Sequence, residues 1–170
     1  MFGPLDGVKI LDLTRVLAGP FCTMVLADLG AEVIKVELPD TGDDSRAFGP
    51  FIKGESSYFM SLNRGKKSFT LNLRFPEGKA VLKDLVKTVD VLIENYRPGT
   101  MKKLELDYPV LSAENPKLIY AAISGFGQNG PYREKPAYDF IVQGMGGVMG
   151  LNAHPGGPPT RVPVGIGDIT

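Results

Sequence analysis

The chain has one cysteine and one histidine in 170 residues, and each scarcity removes a class of chemistry. With Cys22 alone there is no internal disulfide, which fits a reducing compartment: the cytoplasm, or the mitochondrial matrix of a eukaryote. With His154 alone there is no multi-histidine metal site, and a Ser-His-Asp triad has no choice of base. An excess of charge is missing too. Lysine plus arginine and aspartate plus glutamate number 19 each, so no net field steers the chain toward nucleic acid or a membrane surface. Apolar runs such as Val33-Ile34 and Val91-Leu92-Ile93 fall far below the roughly 20 residues a bilayer span needs. The opening MFGPLDGVKILDL carries acid early, with no basic stretch or small-residue cleavage site, which argues against secretion.

What is present is the composition of a soluble globular domain, 43% hydrophobic and 22% charged. Glycine (21) and proline (14) are abundant but uneven. From Ser124 onward the chain reads SGFGQNGP, QGMGGVMG and HPGGPPTRVPVGIG, with few periodic segments. Such a stretch reads as a loop-rich active-site region that expects further chain to pack against it.

The first two thirds alternate between strand and helix patterns. Val8–Leu13 is a buried strand leading into a turn. Gly19-Pro20 opens a helix over Phe21–Leu29, which Gly30 stops. Strands follow at Glu32–Glu37 and Ser68–Leu73, and a helix from Pro76 to about Val89. Asp90–Glu94 and Lys117–Ile123 are two more strands. The alternation predicts an α/β fold, a Rossmann-like parallel sheet with crossover helices.

Ligands of such sheets bind at the carboxyl ends of strands. The loop Thr14–Pro20 joins the first strand to a helix N-terminus, where backbone N–H groups converge on anions; a plain tight turn is the equal alternative. Glu37 ends the second strand, where an acid can hold a ribose hydroxyl or simply be solvated. The following Gly42–Arg46 fits a loop over a ligand no better than a surface loop. Asn95–Gly99 again lies on the ligand edge, where Arg97, Lys102 and Lys103 could supply positive charge for a phosphate; a surface charge cluster explains Lys102 and Lys103 equally well. Asp168, in VGIGDIT, has small neighbours that leave its carboxylate approachable. Its spacing favours a helix N-cap; a carboxylate kept ionised there by the helix dipole is also a competent nucleophile. His154 reads as an exposed loop residue and Cys22 as a small buried hydrophobe.

Taken in order, Leu5–Pro20 (LDGVKILDLTRVLAGP), Ala27–Glu37 (ADLGAEVIKVE), Asn63–Ser68 (NRGKKS), Glu94–Gly99 (ENYRPG), Ser124–Pro131 (SGFGQNGP), Tyr138-Asp139 and Gly167-Asp168 resemble the class III CoA-transferases, the CaiB/BaiF or formyl-CoA transferase family. The resemblance covers nearly the whole chain. It implies that residues 1–170 form the N-terminal part of a CoA-binding Rossmann-like large domain, without the second domain and return segment. It also implies a homodimer of interlocked subunits. By it, Asp168 is the catalytic carboxylate that forms an aspartyl mixed anhydride and then an aspartyl-CoA thioester. CoA is held by Arg15, Val16, Ala18, Asn95, Tyr96, Lys103 and Tyr138. Coenzyme A and acyl-CoA are then substrates of acyl-CoA metabolism, with a carboxylic acid as acceptor and no tightly bound cofactor or metal. Leu17 and Leu38 stand where the formyl-CoA enzyme has glutamine and arginine, which favours glutarate, succinate and similar acids over oxalate.

Two other readings carry distinct expectations. A 2-methylacyl-CoA racemase needs histidine immediately before the aspartate of its motif, and this chain has Tyr138 before Asp139. A third reading is an inactive, CoA-binding remnant, because the chain stops two residues after Asp168.

Overall fold

The computed structural model describes residues 3–170. In chain order the elements are β1 (Lys9–Asp12), α1 (Ala18–Asp28), β2 (Glu32–Glu37), a short 3-10 turn (Asp44–Ala47), β3 (Phe51–Ile52) and β4 (Glu55–Ser56). Then come α2 (Ser57–Leu62), β5 (Lys67–Thr70), α3 (Pro76–Val86), β6 (Val91–Glu94), α4 (Thr100–Lys103), α5 (Tyr108–Glu114) and β7 (Ile119–Ala122). Three short helices finish the chain: α6 (Asp139–Met145), α7 (Val148–Leu151) and α8 (Ile166–Ile169). The chain divides into two compact units, one running to Ile123 and one from Ser124 to Thr170.

The first unit is built on a five-stranded sheet in the order β5-β2-β1-β6-β7, every pair parallel. Leaving aside the small β3-β4 hairpin, this is the 3-2-1-4-5 order of a Rossmann sheet, which reverses direction between β1 and β6. The central strands β1, β2 and β6 are short, mostly buried runs because both faces are covered, whereas the edge strand β5 is exposed. Side chains alternate across the sheet with period 2: Leu11 and Leu92, paired in register, enter one core with Leu82, Val86, Leu106 and Leu111. Ile10, Val33 and Ile93 point to the other face and meet Leu26 and Cys22. Cys22 is half-buried, and burial is the main cause that pushes its thiol above its ordinary range.

The expected parallel sheet is present, and the strand at Glu32–Glu37 has the boundaries read from the sequence. The first helix begins at Ala18 rather than Phe21, and β1, β6 and β7 are shorter by one or two residues at one or both ends. Two further boundaries differ. β5 is Lys67–Thr70 rather than 68–73, because Leu71, Asn72 and Leu73 leave the sheet and line a cleft. α3 stops at Val86 rather than near Val89, where Thr88 and Asn115 take up the end carbonyls: the Thr88 amide donates to Leu85 O, and Asn115 Nδ2 donates to Val86 O and Val89 O. No described helix is long and apolar enough to cross a membrane.

Candidate functional site

At the reversal of strand order, the loops after β1 and β6 are stitched together. The Arg15 amide donates to Asn95 Oδ1 at 2.8 Å, and Asn95 Nδ2 donates back to the Arg15 carbonyl at 2.8 Å. Of the residues expected to hold CoA, Arg15 and Asn95 are thus joined directly across two loops, with Val16 and Tyr96 next to them in the chain. Glu94 below accepts the Tyr96 amide at 2.8 Å and the Tyr120 hydroxyl at 3.3 Å. Burial lifts the Glu94 carboxyl above its usual range despite those two donors.

The first three amides of the first loop are already engaged by the protein itself. The Thr14 N–H donates to Asp12 Oδ1, the Arg15 N–H to Asn95, and the Val16 N–H to both oxygens of Asp43 at 3.2 and 3.3 Å. The protein's own side chains already fill the positions that an anion would take at this turn. Val16 has φ +69°, a left-handed conformation costly for a β-branched residue, of order 1–3 kcal/mol, and held by its surroundings. Gly19 explains the next constraint: a Cβ there would lie 2.2 Å from Thr14 Cβ, so only glycine lets α1 start against this loop.

What holds Val16 is Asp43, in the turn that the sequence left ambiguous between a ligand loop and a surface loop. Asp43 is 3% exposed and pairs with the buried Lys35 ammonium at 2.9 Å. Lys35 in turn donates to the Thr14 carbonyl at 2.7 Å. Burial by itself would raise the Asp43 carboxyl; Lys35 and two hydrogen bonds from Ser45 outweigh it and hold the group below its ordinary value. Glu37 is neither solvated nor free for a ribose. It is 4% exposed, takes Arg46 as a two-pronged partner at 2.7 and 2.8 Å, and accepts from Ser68 and the Asp43 amide. Those donors likewise overcome burial and lower its carboxyl.

A second buried cation sits behind α1. Lys66, in the Asn63–Ser68 motif, donates to Asp12, Asn63 and the Pro20 carbonyl at 2.9 to 3.1 Å. Burial pushes its ammonium down to about 8, against the pull of Asp12.

Over this scaffold lies a cleft of about 350 Å³ at the carboxyl ends of four parallel strands. Arg15 follows β1, Leu38 and Asp44 follow β2, and Asn72 and Arg74 follow β5. Tyr96, Thr100 and Leu104 close it from the β6 side. Arg15 is tied to Asp44 by an ion pair at the rim, whereas Arg74 makes no ion pair among the described residues. Lys103 is exposed on α4 and lies outside the lining, which its neighbours Thr100 and Leu104 provide. Ala18 is half-buried at the start of α1. The sequence signal that could have found Asn72 and Arg74 is their place just after a parallel strand, on the ligand edge.

In the second unit, Tyr138 is the N-terminal boundary of α6, exposed, its ring stacked on Phe140 with centroids 6.2 Å apart. Asp139 accepts the Gly167 N–H at 2.9 Å. Asp168 is not the helix N-cap that its spacing favoured. Gly165 caps α8 without a side chain, and Asp168 sits inside the first turn. Its carboxylate is half-buried and accepts no hydrogen bond among the described residues. Burial first, and the Asp139 carboxylate second, raise its carboxyl above the ordinary value. His154 lies exposed in its turn. Among the described residues, no three His, Cys, Asp or Glu side chains are grouped to hold a metal ion.

Comparison with known proteins gives this geometry a family. The model of CoA-transferase family III matches residues 5–170. The chain is 52% identical over 160 residues to the acetyl-CoA:oxalate CoA-transferase of Acetobacter aceti, covering 94% of this chain and 41% of that protein. It is 49% identical to the succinate–glutarate CoA-transferase of Agrobacterium fabrum, covering 98% and 43%. A CaiB/BaiF family protein from Brucella suis superposes with a TM-score of 0.93 at 47% identity, over 99% of this chain and 46% of that one. The chain therefore spans under half the length of these relatives. Oxalate and glutarate both appear among their names, so similarity alone does not choose between the acids separated by Leu17 and Leu38. The chain belongs to CoA-transferase family III.

Proposed function

We propose that the protein is an acyl-CoA:carboxylate CoA-transferase in which Asp168 is the covalent carrier. The observation that carries the reading is the Asp168 carboxylate: half-buried, more basic than usual, and bound to nothing in its own unit. An unencumbered ionised carboxylate is what covalent catalysis at this level requires. In the proposed sequence one Asp168 oxygen attacks the thioester carbonyl of the donor. The C–S bond breaks, giving a mixed anhydride and CoA thiolate. The thiolate then attacks the aspartyl carbonyl, releasing the donor acid and leaving an aspartyl-CoA thioester. The acceptor carboxylate attacks that thioester and expels the thiolate, which takes the acceptor acyl group and frees Asp168. No proton and no redox equivalent is needed.

The cleft at the sheet edge is the proposed CoA site, lined by Arg15, Tyr96 and Arg74, the last without an ion pair among the described residues; Val16, Ala18, Asn95, Lys103 and Tyr138, outside that lining, complete the proposed set. Arg74→Ala is expected to weaken binding of acyl-CoA roughly 10- to 100-fold, the worth of a charge-assisted hydrogen bond, as read by calorimetry. Affinity within twofold of the parent would remove Arg74 from the site. Residues 1–170 would be the N-terminal part of the CoA-binding domain, in a homodimer of the whole protein kept in a reducing compartment. Sedimentation of the intact protein tests the assembly.

The test of function is exchange of CoA from succinyl-CoA and acetyl-CoA to glutarate, mesaconate and oxalate, with hydroxylamine or borohydride trapping of the aspartyl adduct. Adduct at Asp168 together with exchange supports the reading. CoA binding without either outcome identifies a binding remnant. The acid limb of kcat/KM is expected above the ordinary aspartate range. Asp168 must be ionised to attack, and its carboxyl is raised, so activity falls as pH drops through that raised value. A limb at or below the ordinary value would contradict the burial and the Asp139 proximity that raise it.

A further inference from the structure

Among the described residues Asp168 makes no side-chain hydrogen bond, so something else must hold it still. The segment that carries it is irregular and rich in proline and glycine from Pro155 to Gly167. Thr160 is tied to the Met149 carbonyl and to Asn152; beyond it, the stretch leading to Asp168 is held by one face of α6. Gln143 is 1% exposed, although glutamine is ordinarily a surface residue. Its Oε1 accepts the Val162 N–H at 2.9 Å, and its Nε2 donates to the Val162 and Val164 carbonyls at 3.2 and 3.4 Å. The same Nε2 donates to Asp139 Oδ2 at 2.7 Å, one helical turn back. Asp139 Oδ1 then accepts the Gly167 N–H at 2.9 Å. A Cβ on Gly167 would stand 3.3 Å from both Asp139 Oδ1 and Val142 Cγ1, so glycine is what allows the approach. The segment is thus pinned at 162, 164 and 167, the last point one residue before the carboxylate.

Resting on the transferase reading above, we infer that Gln143 is a positioning residue for the reaction, the buried hub of an amide–carboxylate clamp that sets where Asp168 stands. A buried amide with both ends bonded has one low-energy orientation, because turning it exchanges donor and acceptor and leaves buried groups unpaired. Misplacing a reacting group by about 1 Å can cost on the order of 100-fold in rate. The clamp has a second effect. Gln143 holds the Asp139 carboxylate near Asp168, so one device fixes both the position of the nucleophile and the like charge beside it. Arg161 Nε, 4.0 Å from Asp139 Oδ2, is the cation facing that pair.

The experiment compares Gln143→Met and Asp139→Asn with the parent in the intact protein, with succinyl-CoA and acetyl-CoA as donors. Methionine fills the glutamine volume without its bonds. For Gln143→Met the expected result is a 10- to 100-fold lower kcat and adduct-formation rate, with KM for acyl-CoA within threefold. For Asp139→Asn, which keeps an oxygen for Gly167, the acid limb moves to lower pH, since a like charge that raised Asp168 is gone. A Gln143→Met enzyme with parental kcat, or an Asp139→Asn enzyme with an unmoved acid limb, overturns the clamp. If Gln143→Met does not fold, the pH profile of Asp139→Asn decides alone. A parent that forms no adduct on Asp168 overturns the transferase reading instead, so the two failures are told apart by the wild-type trap.

Discussion

Asp168→Ala is expected to remove CoA transfer almost entirely, by on the order of 10⁴-fold or more, as for loss of other covalent nucleophiles. Hydroxylamine should trap no adduct, while affinity for acyl-CoA stays within threefold, because none of the cleft residues is touched. The same substitution should not cost stability. The Asp168 carboxyl is raised in the folded protein, so this group favours folding only while protonated. That contribution is present below the unfolded value and is lost as pH rises through the folded one. At neutral pH the ionised side chain opposes folding slightly, and alanine or asparagine should leave the melting temperature unchanged or higher. Losing the function while keeping the fold is the behaviour of a residue retained for chemistry. Exchange within tenfold of the parent would sink the proposed mechanism.

Asp43→Ala is expected to have the largest effect on stability, a loss of about 3–5 kcal/mol. The Lys35 and Asp43 side chains are 2% and 1% exposed, so the substitution leaves a buried ammonium without its anion. It also strips the acceptor from the Val16 and Ser45 amides, and Val16 then has nothing opposing its strained φ. For a chain of this size the melting temperature should fall by roughly 10 °C or more. The double variant Asp43→Ala with Lys35→Met should lose clearly less than the two single losses added, because it removes the orphaned charge. Strict additivity would show that the pair does not act as a unit. The parent's acid sensitivity follows the same logic. Asp43 and Glu37 are both lowered, so their stabilisation is full above the ordinary carboxylate range and is lost as pH falls through their folded values. Urea midpoints between pH 6 and 3 should therefore drop more steeply for the parent than for Asp43→Ala.

Glu37 and Asp168 mark where reading residues in order stops short. Glu37 could be placed at the end of a strand from the sequence, since EVIKVE is a bounded apolar run. Whether its carboxylate met a ligand, water or an arginine depended on Arg46, nine residues on, folding back beneath it. Asp168 could be placed beside glycine near a helix start, yet capping depends on which backbone amide lies within reach of the side chain. Here Gly165 takes the cap position. The helices from α4 to α8 were largely illegible because four to seven residues carry too little periodicity to signal a helix. Their order comes from contacts such as Gln143 with the 162–164 backbone, which no local pattern encodes.

The first loop and the carboxylate were both legible as candidates, because strand and helix periods, strand-ending turns and ordered motifs are local properties of the chain. From those alone follow the parallel sheet, its ligand edge and the membership in a CoA-transferase family. Only the tertiary structure decided that the Thr14, Arg15 and Val16 amides are spent on Asp12, Asn95 and Asp43, that Arg74 rather than Lys103 lines the cleft, and that Asp168 accepts no hydrogen bond among the described residues. The reason is physical: a hydrogen bond or ion pair is settled by which groups the fold brings within about 3 Å and shields from water, and neither condition is written in the spacing of residues along the chain.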